Sequence, residues 1–210
     1  MVTMATTGER RAGTLRERKR ERTRAATVAA GVGLFASAGY DATTIAEIAA
    51  AADIAPRTFF SYFSAKDELL FPEHDRRIES ALDAIAGRAP EDRPVDVLLK
   101  ALSAGAPVSD DLTSATTELR LRLMETVPAI RGRALQLQRR AEAEIAGALC
   151  DAYPDELDAA RASALVGAFI GAAAAATNAV LHGAGARAVD PSNVAGRTYA
   201  AVAYALGCGR

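Results

Sequence analysis

The 210-residue chain has no tryptophan, and it contains only two cysteines, two histidines and three lysines. Cys150 and Cys208 are too far apart to form a C-x-x-C pair, which excludes a disulfide framework and a thiolate zinc site as organising features. His74 and His182 are too few and too isolated to assemble a metal centre, and no Ser/His/Asp constellation follows from spacing. No metal, cofactor or enzymatic chemistry is therefore expected. Prolines number eight, no stretch alternates apolar and polar residues as a strand would, and no internal repeat is visible. What is abundant is alanine, 50 of 210 residues, with 22 arginines. Half of the chain is apolar and 24% charged, with a net charge of −1, which is ordinary globular composition. An all-helical fold is the expectation.

The front of the chain lacks the charged-then-apolar pattern of a secretory signal, so a cytoplasmic location is expected. Between Arg161 and Arg187, 25 residues carry no charge, a length that can cross a bilayer. Most of them are alanine, and Ser163, Thr177, Asn178 and His182 interrupt the run, so insertion gains little. The expectation is a helix covered by protein rather than lipid. Gly167-x-x-x-Gly171 provides a close-approach surface, and a subunit interface is the expected place for it.

Charge is unevenly spread. Residues 1–24 hold eight basic and three acidic side chains, a balance of +5, whereas residues 25–75 balance at −5. Any polyanion contact must therefore be local, and a basic arm alone is as consistent with a solvated tail as with nucleic-acid binding.

Helical spacing of Val28, Val32 and Phe35 predicts a first helix from about Leu15 to Ala38, closed by Gly39. Thr44 and Glu47 form an S/T-x-x-E capping box for a short second helix ending near Ala52. Asp53-Ile54-Ala55 makes a tight turn, and Pro56 opens a third helix through Arg57 to Phe63. Two short helices across a tight turn, behind a longer support, form a helix-turn-helix layout. Lys66 starts a fourth helix that Pro72 should kink or restart, continuing to about Ala86. Later helices are predicted over 94–104, 110–126, 128–153, 155–184 and 191–206, about nine in all. Gly31-x-Gly33-x-x-Ala36 spells a dinucleotide fingerprint, but it lies inside an amphipathic helix rather than after a strand, and is set aside.

The run from Leu34-Phe35-Ala36-Ser37-Ala38-Gly39-Tyr40 through Thr43-Thr44-Ile45-Ala46-Glu47-Ile48-Ala49 to Thr58-Phe59-Phe60-Ser61-Tyr62-Phe63-Ser64-Ala65-Lys66 closely resembles the DNA-binding domain of TetR-type transcriptional regulators. The likeness covers about residues 25–71. It implies a three-helix DNA-binding domain over 1–71 and a helical ligand-binding and dimerisation domain over 72–210. Arg57, Thr58, Ser61 and Tyr62 would face the major groove, where side chains reach base edges. Thr44, Thr58, Tyr62 and Lys66 match positions that in this family hold the phosphate backbone. Phe60 occupies a position usually held by a phosphate-contacting tyrosine, Asp53 replaces a turn glycine and Ala55 a capping serine. Phe35, Tyr40, Ile45, Ile48, Phe59 and Phe63 can form the small core that fixes the helix angles. The stretch Arg57-Thr58-Phe59-Phe60-x-Tyr62-Phe63-x-x-Lys66 also looks like a subgroup that includes regulators of mycofactocin clusters.

The resemblance implies a homodimeric repressor on double-stranded DNA with a palindromic operator, released by a small-molecule effector that is acyl-CoA-like or hydrophobic. A pocket with Glu118, Arg122, Met124, Phe169, Thr177, Asn178 and His182 is the candidate for that effector, although Glu118 and Arg122 also read as an intrahelical pair and Met124 and Phe169 as core. The last two helices are expected to pair with a second copy, and Pro72 is a candidate hinge. The rival readings are a constitutive architectural DNA binder and an enzyme of unrecognised type.

Overall fold

The computed structural model describes residues 14–104, 110–183 and 191–208, with the side chains of 110–115, 181–183 and 191–193 outside the description. Nine α-helices and one 3-10 turn occur among these residues, with no strand. The chain divides into two compact units, Met1–Leu69 and Leu70–Arg210.

The first unit holds α1 (Leu15–Ala38), α2 (Ile45–Ala51), α3 (Pro56–Phe59) and a 3-10 turn over Lys66–Leu70 whose last residue begins the second unit. Its helix starts are written in the sequence. Thr14 and Glu17 form a reciprocal capping box on α1, and Thr44 and Glu47 do the same on α2. Thr27, Val28, Val32 and Phe35 bury one stripe of α1, which packs on α2, and Ile48, Ala49, Phe59, Phe63 and Leu69 are buried in the same unit. Full burial of a side chain such as Ile48 or Phe59 contributes roughly 1.5–3 kcal/mol. Gly31 lies on that stripe because Leu69 occupies the space a methyl group would need: an added Cβ would collide with Leu69 Cδ1. The glycine pair that spells a nucleotide fingerprint is thus a packing notch, and Gly33, the other member, faces open space.

The second unit contains α4 (His74–Ala86), α5 (Pro94–Ala104), α6 (Asp110–Thr126), α7 (Pro128–Ala152), α8 (Ala159–Gly183) and α9 (Pro191–Ala205). Pro72 does not kink a continuous helix. The 3-10 turn stops at Leu70, and α4 starts afresh at His74, since proline lacks an amide proton for the helical ladder. One apolar core joins α4 (Ala81, Ile85), α5 (Val97, Leu98), α7 (Ile145, Leu149), α8 (Val166, Phe169) and α9 (Val202). Packed on α7, α6 buries Leu119 and Leu123. Arg131, one turn into α7, donates to the Met124 and Glu125 carbonyls at 2.9 and 2.8 Å, satisfying acceptors that the end of α6 leaves open. The α8 helix begins at Ala159, four residues later than its apolar pattern predicts. Asp158 Oδ1 accepts from the Arg161 amide at 2.8 Å and caps that start.

Candidate nucleic-acid interface

The turn between α2 and α3 is built from three local choices. Asp53 adopts φ 52°, the left-handed conformation that favours glycine but that Asp tolerates through its short polar side chain. Ala55 is the N-cap of α3 and provides no side-chain hydrogen bond, while Pro56 takes the first helical position. The third helix is shorter than its sequence implies. Regular α-helix covers Pro56–Phe59, and the chain then continues as tight turns, with the amides of Ser61 and Tyr62 donating to the carbonyls of Thr58 and Phe59 at 3.1 and 2.9 Å. The Phe63 amide still reaches the Phe59 carbonyl at 3.0 Å, so the residues from Pro56 to Phe63 remain one helically wound segment.

On this segment Phe59 and Phe63 are buried, their ring centres 5.5 Å apart, and they anchor it to α1 and α2. Arg57, Phe60 and Ser61 are exposed, and Thr58 and Tyr62 are half-buried. Ser61 Oγ donates to the Thr58 carbonyl at 2.7 Å. Phe60, 58% exposed, stands edge-on to Phe59 with no packing to account for its size. An arginine, a serine and an aromatic ring therefore share one exposed stretch of backbone.

Thr44 and Lys66 have local duties as well. Thr44 Oγ1 donates to Glu47 Oε2 at 2.8 Å while accepting from the Glu47 amide at 3.2 Å. The Thr44 amide and hydroxyl together hold the Glu47 carboxyl below the usual carboxylate range. The Lys66 ammonium donates to the carbonyls of Tyr40 and Thr43 at 2.7 and 2.8 Å. Two of its three protons are thus committed to the α1–α2 loop, leaving one for an outside acceptor. Burial, then the charges of Asp67 and Asp41, push the Tyr40 phenol above its ordinary pKa.

Two residues escaped the residue-by-residue reading. The Arg20 guanidinium stands 5.7 Å from the centre of the Tyr62 ring, and that of Arg24 stands 5.3 Å from the centre of Phe63. They sit four apart on α1, one above the other, and this spacing was the available signal. Part of what reads as a basic arm is in fact a helix face stacked on the Tyr62 and Phe63 rings that follow α3. Residues 1–13 of that arm lie outside the described residues.

The residues expected to line an effector pocket are not brought together. Glu118 and Arg122 are exposed on α6, and Met124 is half-buried. Phe169 belongs to the core of the second unit, and Thr177 pairs with Thr198 across α8 and α9 at 3.5 Å. Asn178 is exposed, and the side chain of His182 lies outside the described residues. The face of α6 that turns inward is the one bearing Thr116, Leu119 and Leu123, with half-buried Arg120 beside it.

Residues 28–71 match the model of the tetR family of bacterial regulatory proteins. The HTH-type transcriptional regulator TcmR of Streptomyces glaucescens is 31% identical over 130 residues, which span 61% of this chain and 58% of that relative. A crystal structure assigned to the TetR-family transcriptional regulators, from Mesorhizobium loti, superposes with a TM-score of 0.56 at 15% identity, covering 89% of this chain and 96% of its own. Another, from a Rhodococcus species, gives 0.53 at 16% identity, covering 88% and 99%. At these identities the two structures show a shared fold.

Proposed function

We propose that this chain, whose residues 28–71 match the model of the tetR family of bacterial regulatory proteins, acts in the cytoplasm as a homodimeric, effector-responsive repressor on a palindromic operator. The observation that carries this reading is the exposed set on the Pro56–Phe63 segment: Arg57, Phe60 and Ser61 outward, with Phe59 and Phe63 buried behind them. A helically wound segment held rigidly by its apolar side and polar on the other is what a major groove admits. Arg57 is assigned to a guanine edge. Thr44, Thr58, Tyr62 and the third proton of Lys66 are assigned to phosphates, which position the reader without specifying sequence. Phe60 lacks the hydroxyl that would bind phosphate and is assigned to apolar contact with the sugar-phosphate edge or a thymine methyl.

The dimer is supported by α8. Its stretch Ala159–Val180 is long and apolar enough to cross a membrane, yet only 17% of it is buried within its own chain. A Cβ added at Gly167 or Gly171 would meet nothing within 4 Å outside its own helix, and on α9 Tyr199 and Tyr204 are exposed. A second copy laying its own α8 and α9 against this surface would cover it, and a two-fold axis would present two recognition segments to inverted half-sites. An effector would bind in the second unit. Its coupling to the first would pass along the chain through Leu70–Glu73, where Pro72 stands between the 3-10 turn and α4.

Equilibrium binding to the DNA flanking the protein's own coding region, against random duplex at several salt concentrations, tests the proposal. Saturable binding to a palindrome, at least a hundredfold tighter than to random duplex, is expected. Affinity indistinguishable from random DNA would point to an architectural binder instead.

A further inference from the structure

The Pro56–Phe63 segment is held least by its own backbone at its C-terminal end. Regular α-helix stops at Phe59, and Tyr62 and Phe63 follow in tight turns. Phe63 is buried with its ring centre 5.5 Å from that of Phe59, whereas Tyr62 is only half-buried and lies 6.4 Å from Phe63. What bears on the Tyr62 ring from elsewhere in the unit is α1. The Arg20 guanidinium stands over that ring, 5.7 Å from its centre, and the Arg24 guanidinium over Phe63 at 5.3 Å. Both lie within the range of about 6 Å over which a cation is attracted to an aromatic face. The two arginines are four apart, so one face of α1 engages both rings together.

The pair differ in what they have left to give. Arg24 is half-buried, one turn from the buried Val28. Arg20 is exposed, and among the described residues it has no carboxylate within ion-pair distance. A guanidinium over a ring uses its face for the contact, while its donors lie in its own plane and stay available to a two-oxygen acceptor. The nearest group assigned to DNA is the phenol of Tyr62 itself.

We propose that Arg20 is a phosphate-contacting residue of the DNA interface, contributed by α1 from outside the helix-turn-helix, and that its stacking on Tyr62 positions that side chain for the neighbouring contact. The inference rests on reading the Pro56–Phe63 segment as the DNA reader. A guanidinium already held over a ring loses less rotamer freedom on meeting a phosphate than one on a mobile arm, and its fork matches the phosphate oxygens. Arg22 provides the contrast within α1: it is exposed too, but it is turned about 200° from Arg20 around the helix.

Binding of the full chain to the duplex flanking its own coding region, and to random duplex, over a salt series tests the assignment. Arg20→Gln should weaken binding to both at least fivefold and make the slope of log affinity against log salt shallower by about 0.9, the value of one phosphate contact. Its thermal midpoint should stay within error, and Arg20→Lys should restore the slope. Arg22→Gln should leave affinity and slope unchanged. In a Tyr62→Leu background the effect of Arg20→Gln should shrink below twofold, because the stacked ring that orients the guanidinium is gone. An unchanged slope in Arg20→Gln overturns the contact. So does an equal change in Arg22→Gln, which would trace the effect to net charge. An effect of undiminished size in the Tyr62→Leu background overturns the positioning role; should that variant fail to fold by circular dichroism, the comparison of Arg20 with Arg22 decides alone. A native chain that binds random duplex without preferring any operator removes the regulator reading and leaves the Arg20 result readable on random duplex. Operator preference with an unaltered Arg20→Gln removes only the present inference.

Discussion

The Lys66 ammonium lies 4.3 Å from the centre of the Tyr40 ring and donates to the carbonyl of the same residue at 2.7 Å. A single cation thus clamps the ring and the backbone of the loop that leads from α1 into α2, 26 residues upstream in sequence. Lys66→Ala should lower the stability of the first unit by about 1–2 kcal/mol, as expected for lost charged hydrogen bonds at a half-buried site. It should also weaken binding to specific and random DNA by similar factors. Denaturant titration and binding to both duplexes check this, and loss of operator affinity alone would assign Lys66 to sequence readout.

Arg57 makes a contrasting case. It is exposed, and replacing it with alanine should leave the melting temperature within error while costing about 1–3 kcal/mol of discrimination at one base pair of each half-site. Competition among operators altered at single positions measures this. Equal losses on operator and random DNA would move Arg57 to the phosphate contacts.

The two glycines of α1 should respond with opposite signs. A methyl group at Gly31 meets Leu69, which is fully buried, so Gly31→Ala should destabilise by about 1–2 kcal/mol despite the better helix propensity of alanine. Gly33→Ala enters open space and should stabilise by about 0.5–1 kcal/mol. Thermal melts of the two variants decide, and a stabilised Gly31→Ala would show that Leu69 has room to move.

Acidification should affect His74 before any carboxylate. Burial lowers its folded-state pKa below the ordinary value of about 6.5, so the unfolded chain binds the proton more readily. The associated stability is present above about pH 6.5 and is lost as pH falls toward the folded-state value. Glu47, Asp92 and Asp96 have pKa values lowered by their hydrogen bonds and should matter only below about pH 4. Urea midpoints at pH 7.5 and 5.5 should therefore differ more for the native chain than for His74→Gln. An unchanged difference would transfer the effect to another group.

For the proposed dimer, Gly171→Arg places a long charged side chain at a position where an added Cβ would meet nothing within 4 Å outside its own helix. Sedimentation should show a monomer with unchanged helical content. A persistent dimer would move the interface away from this part of α8.

The helices of the second unit were legible because their boundaries are punctuated. Pro94, Pro128 and Pro191 each open a helix where the sequence predicts one. The capping box at Thr44 and the left-handed residue at Asp53 were equally explicit. Where several side chains jointly decide, the sequence carried less. Nothing local marks α3 as ending its regular helix at Phe59, since the tightening depends on how Phe59 and Phe63 seat together. Glu118 and Arg122 invite attention as a charged pair on α6, but the face that turns inward is set by Leu119 and Leu123 packing on α7. That same rotation carries Arg120 toward Phe71, a contact across 49 positions that no periodicity within α6 encodes.

The uncovered length of α8 reaches beyond architecture. With so little of its apolar surface claimed by its own chain, α8 covered by a second copy as proposed would make folding stability a function of how many copies are present, because a partner that binds the folded chain and not the unfolded one stabilises it by mass action. Dilution alone would then lower the melting temperature. DNA occupancy at low abundance would rise with roughly the square of the protein concentration, so a small change in synthesis rate would be felt as a large change at the operator.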